Sequence, residues 1–406
     1  MIWDGLELYA VGDAMDPMGM LHLGVWSIAK IGITGNVTEM TSAKQRPSSD
    51  RSLGGEYEGV PKVLILHLSH LHNVRRQLLV QLPEGQETIV VKVINPVNFG
   101  PSNLQRFMAP PVPGLDKFKD CPSFSFLLEH PSGRKLVWDL GIRKDYATGY
   151  ASSITDYLPS TGYDIRVTKN VADILEENGI PTTSIEAVIW SHWHWDHIGD
   201  PSSFPTSTDL VVGPGFKGAM LPGAPANPNS PIQESDYANR NLREITFDGA
   251  GVSQIGQFRA FDYFGDGSFY LLDSPGHAIG HLCGLARTTK GSGATPDTFV
   301  LLGGDVCHYA GILRPSKHLP ELQRSRGRAP TDTMYDLTFG GDIPLATKTV
   351  GKLQELDCND NVFVIIAHDS TVRDVVAHFP ENINDWKAKG LGKSLKWAFF
   401  RDLAHY

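Results

Sequence analysis

Residues able to bind metal ions are concentrated in one short segment, SHWHWDHIGD, at residues 191–200. Within six positions it contains His192, His194, Asp196 and His197. In an extended backbone His192 and His194 project to the same side, so two imidazoles can bind one cation. A turn at Asp196 and His197 then offers a carboxylate and a third imidazole to a neighbouring cation. Because an apolar run leads into this segment and two tryptophans lie within it, a buried metal site is predicted rather than a run of surface histidines.

Three further residues of ligand type each follow an apolar run. His277 comes after FYLLDSPG, Asp305 after TFVLLGG and His368 after VFVIIA. Each is a weak signal by itself, because a lone polar residue at a strand end is commonly a cap or a satisfied polar group. Together with the first segment they complete a set of seven, more than one tetrahedral ion can use. Flanking glycines that permit close backbone approach are Gly276, Gly280, Gly303 and Gly304.

The elements that must position these residues follow from the apolar periodicity. The predicted strands begin at Thr88, Ser123 and Lys135 and continue at residues 187–190, 209–213, 269–273, 298–304 and 362–367. The spacing of Val167, Val171, Ile174 and Leu175 predicts an amphipathic helix over residues 164–179. This order of strands and helices predicts an α/β protein in which two packed sheets carry helices outside, a four-layer αββα sandwich.

Composition bounds the class of protein and its organisation. The chain has 406 residues, 41% of them hydrophobic, and a net charge of −9, which excludes a wholly disordered chain and disfavours nucleic acid as a partner. Residues 1–85 lack a sustained period and are predicted to be an N-terminal extension that is poorly defined or disordered. Residues 86–406 are predicted to form the catalytic domain. The histidines of HLSHLH, which are His67, His70 and His72, are interpreted as a polar face without a metal role.

The distribution of cysteines and charges bears on the compartment. The four cysteines are scattered without a C-x-x-C pair, which favours a reducing environment over a disulfide scaffold or a zinc ribbon. The acidic start of the chain and the interrupted apolar stretch at residues 19–35 indicate neither an export signal nor a membrane span. A cytoplasmic protein with a small-molecule substrate and no membrane partner is expected, with the oligomeric state open.

The motif H-x-H-x-D-H, followed downstream by a His, an Asp and a His, resembles the signature of the metallo-β-lactamase superfamily. The resemblance covers roughly residues 86–400. It implies that one metal ion would be held by His192, His194 and His277, and a second by Asp196, His197 and His368, with Asp305 bridging the two. Two divalent ions are therefore expected; mixed His and carboxylate ligation suits zinc best, while iron, manganese or cobalt also fit.

Single residues within the motifs indicate which groups of the superfamily this chain resembles. Antibiotic-degrading members usually have Cys in place of the bridging Asp, whereas this chain has Asp305, with Cys307 two residues later. Oxygen-reducing di-iron members replace the second motif histidine, His194 here, with Glu. Nuclease members add basic surface, which the net charge of −9 does not match. The lactonase, lactamase, glyoxalase II and thioesterase group remains, and GDPSSFP and LLGGDVCHY resemble lactonase-like members from filamentous fungi.

Two residues beside the bridging position are candidates for contact with the substrate. Members that cleave acyl-homoserine lactones have a Tyr three residues after the bridging Asp, and this chain has His308 there, followed by Tyr309. Either side chain could donate to the developing oxyanion, and Asp196 could supply a proton to the leaving group. For Tyr309 the alternative is a packed aromatic with its hydroxyl satisfied. His281 is expected to support its neighbours.

The loop at residues 199–245 is rich in Pro, Gly and Asn and is predicted to form part of the pocket wall. Candidates to line an apolar cleft, or alternatively to anchor the loops, are Phe204, Phe216, Met220 and Leu221, with Phe99, Phe107 and Met108 from an earlier loop. The basic residues of the loop are only Lys217, Arg240 and Arg243, few for the phosphates of a carrier-bound thioester. A small cyclic ester or amide is therefore the expected substrate, with an acyl thioester of polyketide biosynthesis as the alternative and nucleic acid as a distant one.

Overall fold

The structure is a computed structural model, and it describes residues 80–112, 116–118, 120–293, 295–314, 333 and 335–403. The predictions for residues 1–79, including those for His67, His70 and His72, lie outside the described residues. Across the described part, every helix is too short or too polar to cross a membrane.

The described residues form strands that are numbered here in chain order. They are β1 (Val90–Ile94), β2 (Val97–Gly100), β3 (Ser102–Asn103), β4 (Met108–Ala109), β5 (Lys117–Phe118), β6 (Cys121–Pro122), β7 (Ser125–Glu129), β8 (Lys135–Trp138), β9 (Asp164–Val167), β10 (Ala187–Ile189), β11 (Asp209–Val212), β12 (Leu242–Glu244), β13 (Val252–Ile255), β14 (Phe258–Asp262), β15 (Phe269–Asp273), β16 (Leu282–Thr289), β17 (Thr298–Leu302), β18 (Asp336–Leu337) and β19 (Val362–Ile365).

The α-helices of the described residues are mostly short. They are α1 (Tyr146–Gly149), α2 (Ser152–Thr155), α3 (Leu158–Thr161), α4 (Val171–Glu177), α5 (Trp195–Ile198), α6 (Phe216–Met220), α7 (Glu234–Tyr237), α8 (Ala310–Leu313), α9 (Ile343–Asp357), α10 (Ser370–Arg373) and α11 (Leu391–Lys396). Single 3-10 turns occur at Leu104–Arg106, Thr182–Ser184 and Pro201–Ser203, and a longer one at Ala398–Leu403.

Two six-stranded sheets make up the centre of the fold. The first has the order β1-β7-β8-β10-β11-β12, and the second has the order β13-β14-β15-β16-β17-β19. Strands β8, β10, β11 and β12 run parallel to one another, as do β17 and β19, while the remaining pairs of both sheets are antiparallel. Parallel neighbours bring their carboxyl ends to one edge of the sheet, which is where polar side chains can converge.

Alternation along the strands divides the core into layers. In β8, Leu136 and Trp138 pack between the two sheets, whereas Val137 faces an outer layer with α4 and α6. The second sheet has its own outer layer, in which α9 buries Ala346 and Val350 against the strands. Helix α9 begins where Asp342 accepts a hydrogen bond of 2.9 Å from the Leu345 N–H. The predicted αββα sandwich is thus confirmed.

The predicted helix over residues 164–179 is only partly correct. Residues Asp164–Val167 form β9, which pairs antiparallel with β2, and the helix α4 covers Val171–Glu177. Along β9 exposed and half-buried residues alternate, which is the period of a strand, so the helical spacing assigned to Val167 was accidental. The start of α4 is fixed by Asp173, whose carboxylate accepts a hydrogen bond of 2.9 Å from the Asn170 N–H.

Candidate metal centre and substrate cavity

The seven predicted ligands meet because their strands end at neighbouring edges of the two sheets. The segment that contains His192 and His194 follows β10, while Asp305 follows β17 and His368 follows β19. His277 lies in the turn after β15. The backbone is extended at His194 and turns at Asp196 and His197, as predicted, because Trp195 begins the helix α5. That helix turns Asp196 and His197 towards the second sheet.

Four of these residues form a first cluster, which consists of His192, His194, His277 and Asp305 and whose ligand atoms all lie within 4.8 Å of one another. The Nε2 atom of His277 is 3.2 Å from His192 Nε2 and 2.9 Å from His194 Nδ1. The Oδ2 atom of Asp305 lies 3.5 Å from the same His277 nitrogen. Three imidazole nitrogens and one carboxylate oxygen therefore converge on one point.

The second cluster consists of Asp196, His197, His368 and, again, Asp305, with ligand atoms within 4.8 Å of one another. The Oδ1 atom of Asp305 is 3.1 Å from both His197 Nε2 and His368 Nε2. The Oδ2 atom of Asp196 is 3.4 Å from His368 Nε2. Oδ1 of Asp305 thus faces the second cluster, while Oδ2 lies 3.5 Å from His277 Nε2 and 3.3 Å from His368 Nε2, so the carboxylate stands between the two clusters.

The two clusters differ in the direction in which their surroundings shift the pKa of the histidines. Burial, together with neighbouring imidazoles, holds the pKa of His192 and of His277 well below the usual range, and burial lowers the pKa of His194 to about 4. Burial acts in the same direction on His197 and His368, but the carboxylate of Asp305 raises the pKa of both. The first cluster therefore offers neutral imidazoles, the form that binds a cation.

The donor set fits divalent cations, and an unpartnered pair of buried atoms supports this fit. His197 Nε2 and Asp305 Oδ1 lie 3.1 Å apart, and neither has a hydrogen-bond partner among the described residues. The other nitrogen of His197, Nδ1, donates a hydrogen bond of 2.9 Å to the Asp139 carboxylate. Against the effect of burial, the raised pKa of His197 reflects the demand of the two carboxylates for a positive charge at this point, which a cation bound between Nε2 and Oδ1 would supply in place of the proton.

Asp139 is a functional residue that the sequence analysis missed. It is fully buried at the end of β8 and accepts hydrogen bonds from the Ser191 N–H at 2.6 Å and the Ser191 hydroxyl at 2.7 Å, besides the one from His197. Burial raises the pKa of Asp139, and the hydrogen bonds from His197 and Ser191 act against this rise. A signal for it existed, because it follows the apolar run KLVW just as the predicted ligands follow theirs.

Residues around the clusters support them without joining them. The Nε2 atom of His281 accepts a hydrogen bond of 3.1 Å from the Asp305 backbone N–H, so that nitrogen is engaged in holding the backbone of Asp305. Gly304 has a φ of +50°, and a side chain there would come within 3.1 Å of the Ser191 Cβ. Cys307 is buried in the hydrophobic core, where burial raises the pKa of its thiol, and it belongs to neither cluster.

A cavity of about 210 Å³ opens above the clusters. Its floor contains His194, Asp196, Asp305, His308 and His368. Seven aromatic side chains make up much of the wall: Phe99, Phe107, Phe118, Tyr157, Tyr163, Trp195 and Phe339. A second cleft, of about 500 Å³, is larger but open and polar, and it is lined by none of the seven predicted ligands. The smaller cavity is therefore the candidate substrate site.

The predicted wall was partly wrong. Phe99 and Phe107 line the cavity, but the loop at residues 199–245 contributes nothing to the lining given above. Instead Phe204, Phe216 and Met220 are buried in the outer core beneath the first sheet, with Leu221 packed against it. Met108 also lies in a core, that of the second sheet, rather than in the cavity. The alternative interpretation of these loop residues as anchors was the correct one.

The two candidates for substrate contact are placed very differently. His308 lies on the cavity floor with Nε2 3.1 Å from Asp305 Oδ2, and its ring stacks on Phe107 at 4.4 Å. Its other nitrogen, Nδ1, is buried without a hydrogen-bond partner among the described residues. Tyr309 points away from the cavity, and its hydroxyl donates to the Phe399 carbonyl at 3.2 Å. The position of Tyr309 therefore contradicts a role in orienting the substrate.

Comparisons with known proteins agree with this architecture. The sequence profile of the metallo-beta-lactamase superfamily matches residues 118–290. Gamma-lactamase FDB1 from Fusarium pseudograminearum is 38% identical over 371 residues, which cover 82% of this chain and 86% of FDB1. Cytochrome P450 monooxygenase mpaDE from Penicillium roqueforti is 44% identical over 336 residues, which cover 80% of this chain; the matched segment spans only 38% of mpaDE.

Solved structures show the same fold. An N-acyl homoserine lactone hydrolase, with the product N-hexanoyl-L-homoserine at its catalytic metal center, has a TM-score of 0.51 at 18% identity, covering 73% of this chain and 100% of that protein. The chain belongs to the metallo-β-lactamase superfamily. The resemblance inferred from the motifs is confirmed.

Proposed function

We propose that the chain is a dinuclear metal-dependent hydrolase that opens a small cyclic ester or amide. The observation that carries this proposal is the pair of His and Asp clusters that share Asp305 at the floor of an aromatic cavity. His192, His194 and His277 would hold one ion, and Asp196, His197 and His368 the other, with zinc the best match to the donors. Such ions supply Lewis acidity to a carbonyl and make water nucleophilic at neutral pH.

Residues of the chain then position the substrate and move its protons. The aromatic wall excludes water from the floor and takes the apolar part of a ring. His308, whose Nε2 lies 3.1 Å from Asp305 Oδ2, would donate a hydrogen bond to the oxyanion that forms at the carbonyl. Asp196 lines the same floor and is placed to carry a proton to the ring oxygen or nitrogen when the bond breaks.

The dimensions and charge of the cavity favour a small ring over a carrier-bound thioester. A volume of about 210 Å³ suits a compact molecule. Its lining contains one basic residue other than histidine, Arg106, whereas the phosphates of a coenzyme or carrier arm favour several. Relatives support the same class, since FDB1 is named a gamma-lactamase. Acyl thioester hydrolysis, as in polyketide biosynthesis, is the second candidate function.

The division of the chain into an N-terminal extension, residues 1–85, and a hydrolase domain is part of the same proposal.

The test compares kcat/KM for γ-lactones, γ-lactams and acyl thioesters at equal metal loading. The proposal expects a lactone or lactam to be the best substrate, and chelation to abolish its hydrolysis. Thioesters ahead by tenfold or more, ~1.4 kcal/mol in transition-state free energy, would overturn it in favour of the thioesterase. His194→Ala provides the site control, and Asp266→Asn, which alters a carboxylate that binds His130 outside the site, provides the matched surface control.

A further inference from the structure

The aromatic wall of the substrate cavity contains one arginine side chain, that of Arg106. Arg106 donates a hydrogen bond of 3.1 Å from Nη1 to the Tyr157 hydroxyl. Its guanidinium carbon lies 4.7 Å from the centroid of the Phe339 ring. Within the described part of the chain, no carboxylate oxygen approaches this guanidinium within 4.0 Å. Because an arginine has five N–H donors and the hydrogen-bond partners of Arg106 are the hydroxyls of Tyr157 and Tyr163, donors remain available to a ligand.

Several other arginines of the described residues pair with carboxylates. In the open cleft Arg166 and Arg373 both bind Asp120, and Arg373 does so at 3.0 Å. Arg287, which is fully buried, pairs with Asp297. Arg240 also has no carboxylate within 4.0 Å among the described residues, but it donates to backbone carbonyls in the outer core. Arg106 instead lines the cavity, whose floor carries Asp196 and Asp305.

The backbone that carries this side chain is well anchored. Arg106 ends a 3-10 turn that Asn103 caps by accepting from the Gln105 N–H at 3.0 Å. The carbonyl of Arg106 accepts a hydrogen bond of 2.9 Å from the Thr338 hydroxyl. The Thr338 N–H in turn donates to the Phe107 carbonyl at 3.1 Å. These bonds hold the backbone of Arg106 beside that of Phe339, so a ligand does not have to order this segment when it binds.

Phe339 lies between the Arg106 guanidinium and the first cluster. Its ring centroid lies 6.4 Å from the ring of His194 on one side and 4.7 Å from the Arg106 guanidinium carbon on the other. A substrate whose scissile carbonyl lies at the floor therefore extends along Phe339 with its far end near Arg106. A charged or strongly accepting group at that end would meet several N–H donors in a fixed geometry.

We propose that Arg106 determines substrate specificity by binding an anionic substituent, such as a carboxylate, at the end of the lactone or lactam opposite the scissile bond. This inference rests on the proposed function. Arg106 is a specificity residue and takes no part in bond breaking. Its role differs from that of Phe339 and Tyr157, which complete the wall for any ring.

The experiment compares two probes, γ-phenyl-γ-butyrolactone and its 4-carboxyphenyl analogue, with the wild-type protein, Arg106→Gln and Arg106→Lys. Arg106→Gln is expected to raise KM for the carboxylate probe about tenfold, ~1.4 kcal/mol, with kcat unchanged. The neutral probe should be unaffected. Arg106→Lys should recover part of the loss, because it keeps the charge without the planar fork. Added salt should raise KM for the carboxylate probe in the wild type and have little effect in Arg106→Gln.

Controls separate the two proposals from each other and from misfolding. Arg259→Gln removes an exposed arginine that pairs with Asp273 outside the cavity, and it should change neither KM. If the wild type hydrolyses neither probe, the proposed function fails. If the wild type hydrolyses both and Arg106→Gln alters KM for the two probes equally, or for neither, the lactone function stands and the role of Arg106 is overturned. Normal rates on the neutral probe show that the variant is folded.

Discussion

Replacing Asp139 by Asn should change which nitrogen of His197, a residue of the second cluster, carries the proton. The wild-type carboxylate accepts hydrogen bonds from the Ser191 N–H, the Ser191 hydroxyl and His197 Nδ1 at 2.6, 2.7 and 2.9 Å. Asn has the same shape and tolerates the φ of +52° at this position, so the fold should survive the change. The Asn oxygen can keep the bond to the Ser191 N–H, and its amide NH₂ then faces His197.

The consequence follows from the two nitrogens of His197. To accept from the amide, Nδ1 must give up its proton, and a neutral imidazole then carries that proton on Nε2. Nε2 is the atom that lies 3.1 Å from Asp305 in the second cluster, so its lone pair is lost to a metal ion. Loss of an outer-shell partner of this type typically costs 10- to 100-fold in metal affinity, or ~1.4 to 2.7 kcal/mol.

The assay is competition between the protein and a chromophoric chelator for zinc, which measures the affinity of each site. Asp139→Asn should weaken one of two binding events by that factor and leave the other nearly unchanged. The matched control is Asp266→Asn, whose carboxylate binds His130 Nε2 at 2.8 Å outside the cavity. Equal zinc affinities in the wild type, Asp139→Asn and the control would refute the positioning of His197 by Asp139.

Three further predictions concern residues with contrasting roles. Cys307→Ala should keep its metal content and most activity, because the thiol lies in the hydrophobic core; loss of one metal equivalent would show that it is a ligand. His308→Gln should lower kcat by ~10²-fold while Tyr309→Phe leaves it unchanged, and the reverse order would exchange their roles. Burial raises the pKa of Asp236 to about 7, so the stability that its neutral form contributes is complete below the unfolded pKa of ~3.9 and is lost as pH rises through 7. Melting curves should therefore show Tm falling less between pH 5 and pH 8 in Asp236→Asn than in the wild type, and parallel decreases would contradict this.

The metal clusters could be predicted because their signals are local in the sequence. Each candidate follows an apolar strand, and parallel strands deliver their carboxyl ends to one edge of a sheet. The same reasoning could have found Asp139, which follows β8, but no histidine or second carboxylate accompanies it in the sequence. The ligand roles themselves stay predictions until metal is measured.

The cavity wall could not be predicted, because it depends on contacts between distant segments. Pairing of β4 with β18 brings Phe339 beside Phe107. Each of these strands has only two residues, which is too short for a sequence pattern to predict. Conversely, the composition of the loop at residues 199–245 and its position after the ligand motif suggested part of the pocket wall, yet Phe204 and Phe216 are almost fully buried in the outer core. Burial of the larger apolar side chains overrode the turn-rich composition.

The central claim, a dinuclear centre bridged by Asp305, is tested most directly by metal content. Purified protein saturated with zinc and then freed of unbound metal should contain close to two ions per chain by elemental analysis, because seven ligands exceed what one tetrahedral ion uses. Asp305→Ala, which removes the carboxylate shared by both clusters, should fall well below that value while the protein remains folded. One ion or none in the wild type, or two in folded Asp305→Ala, would contradict the account.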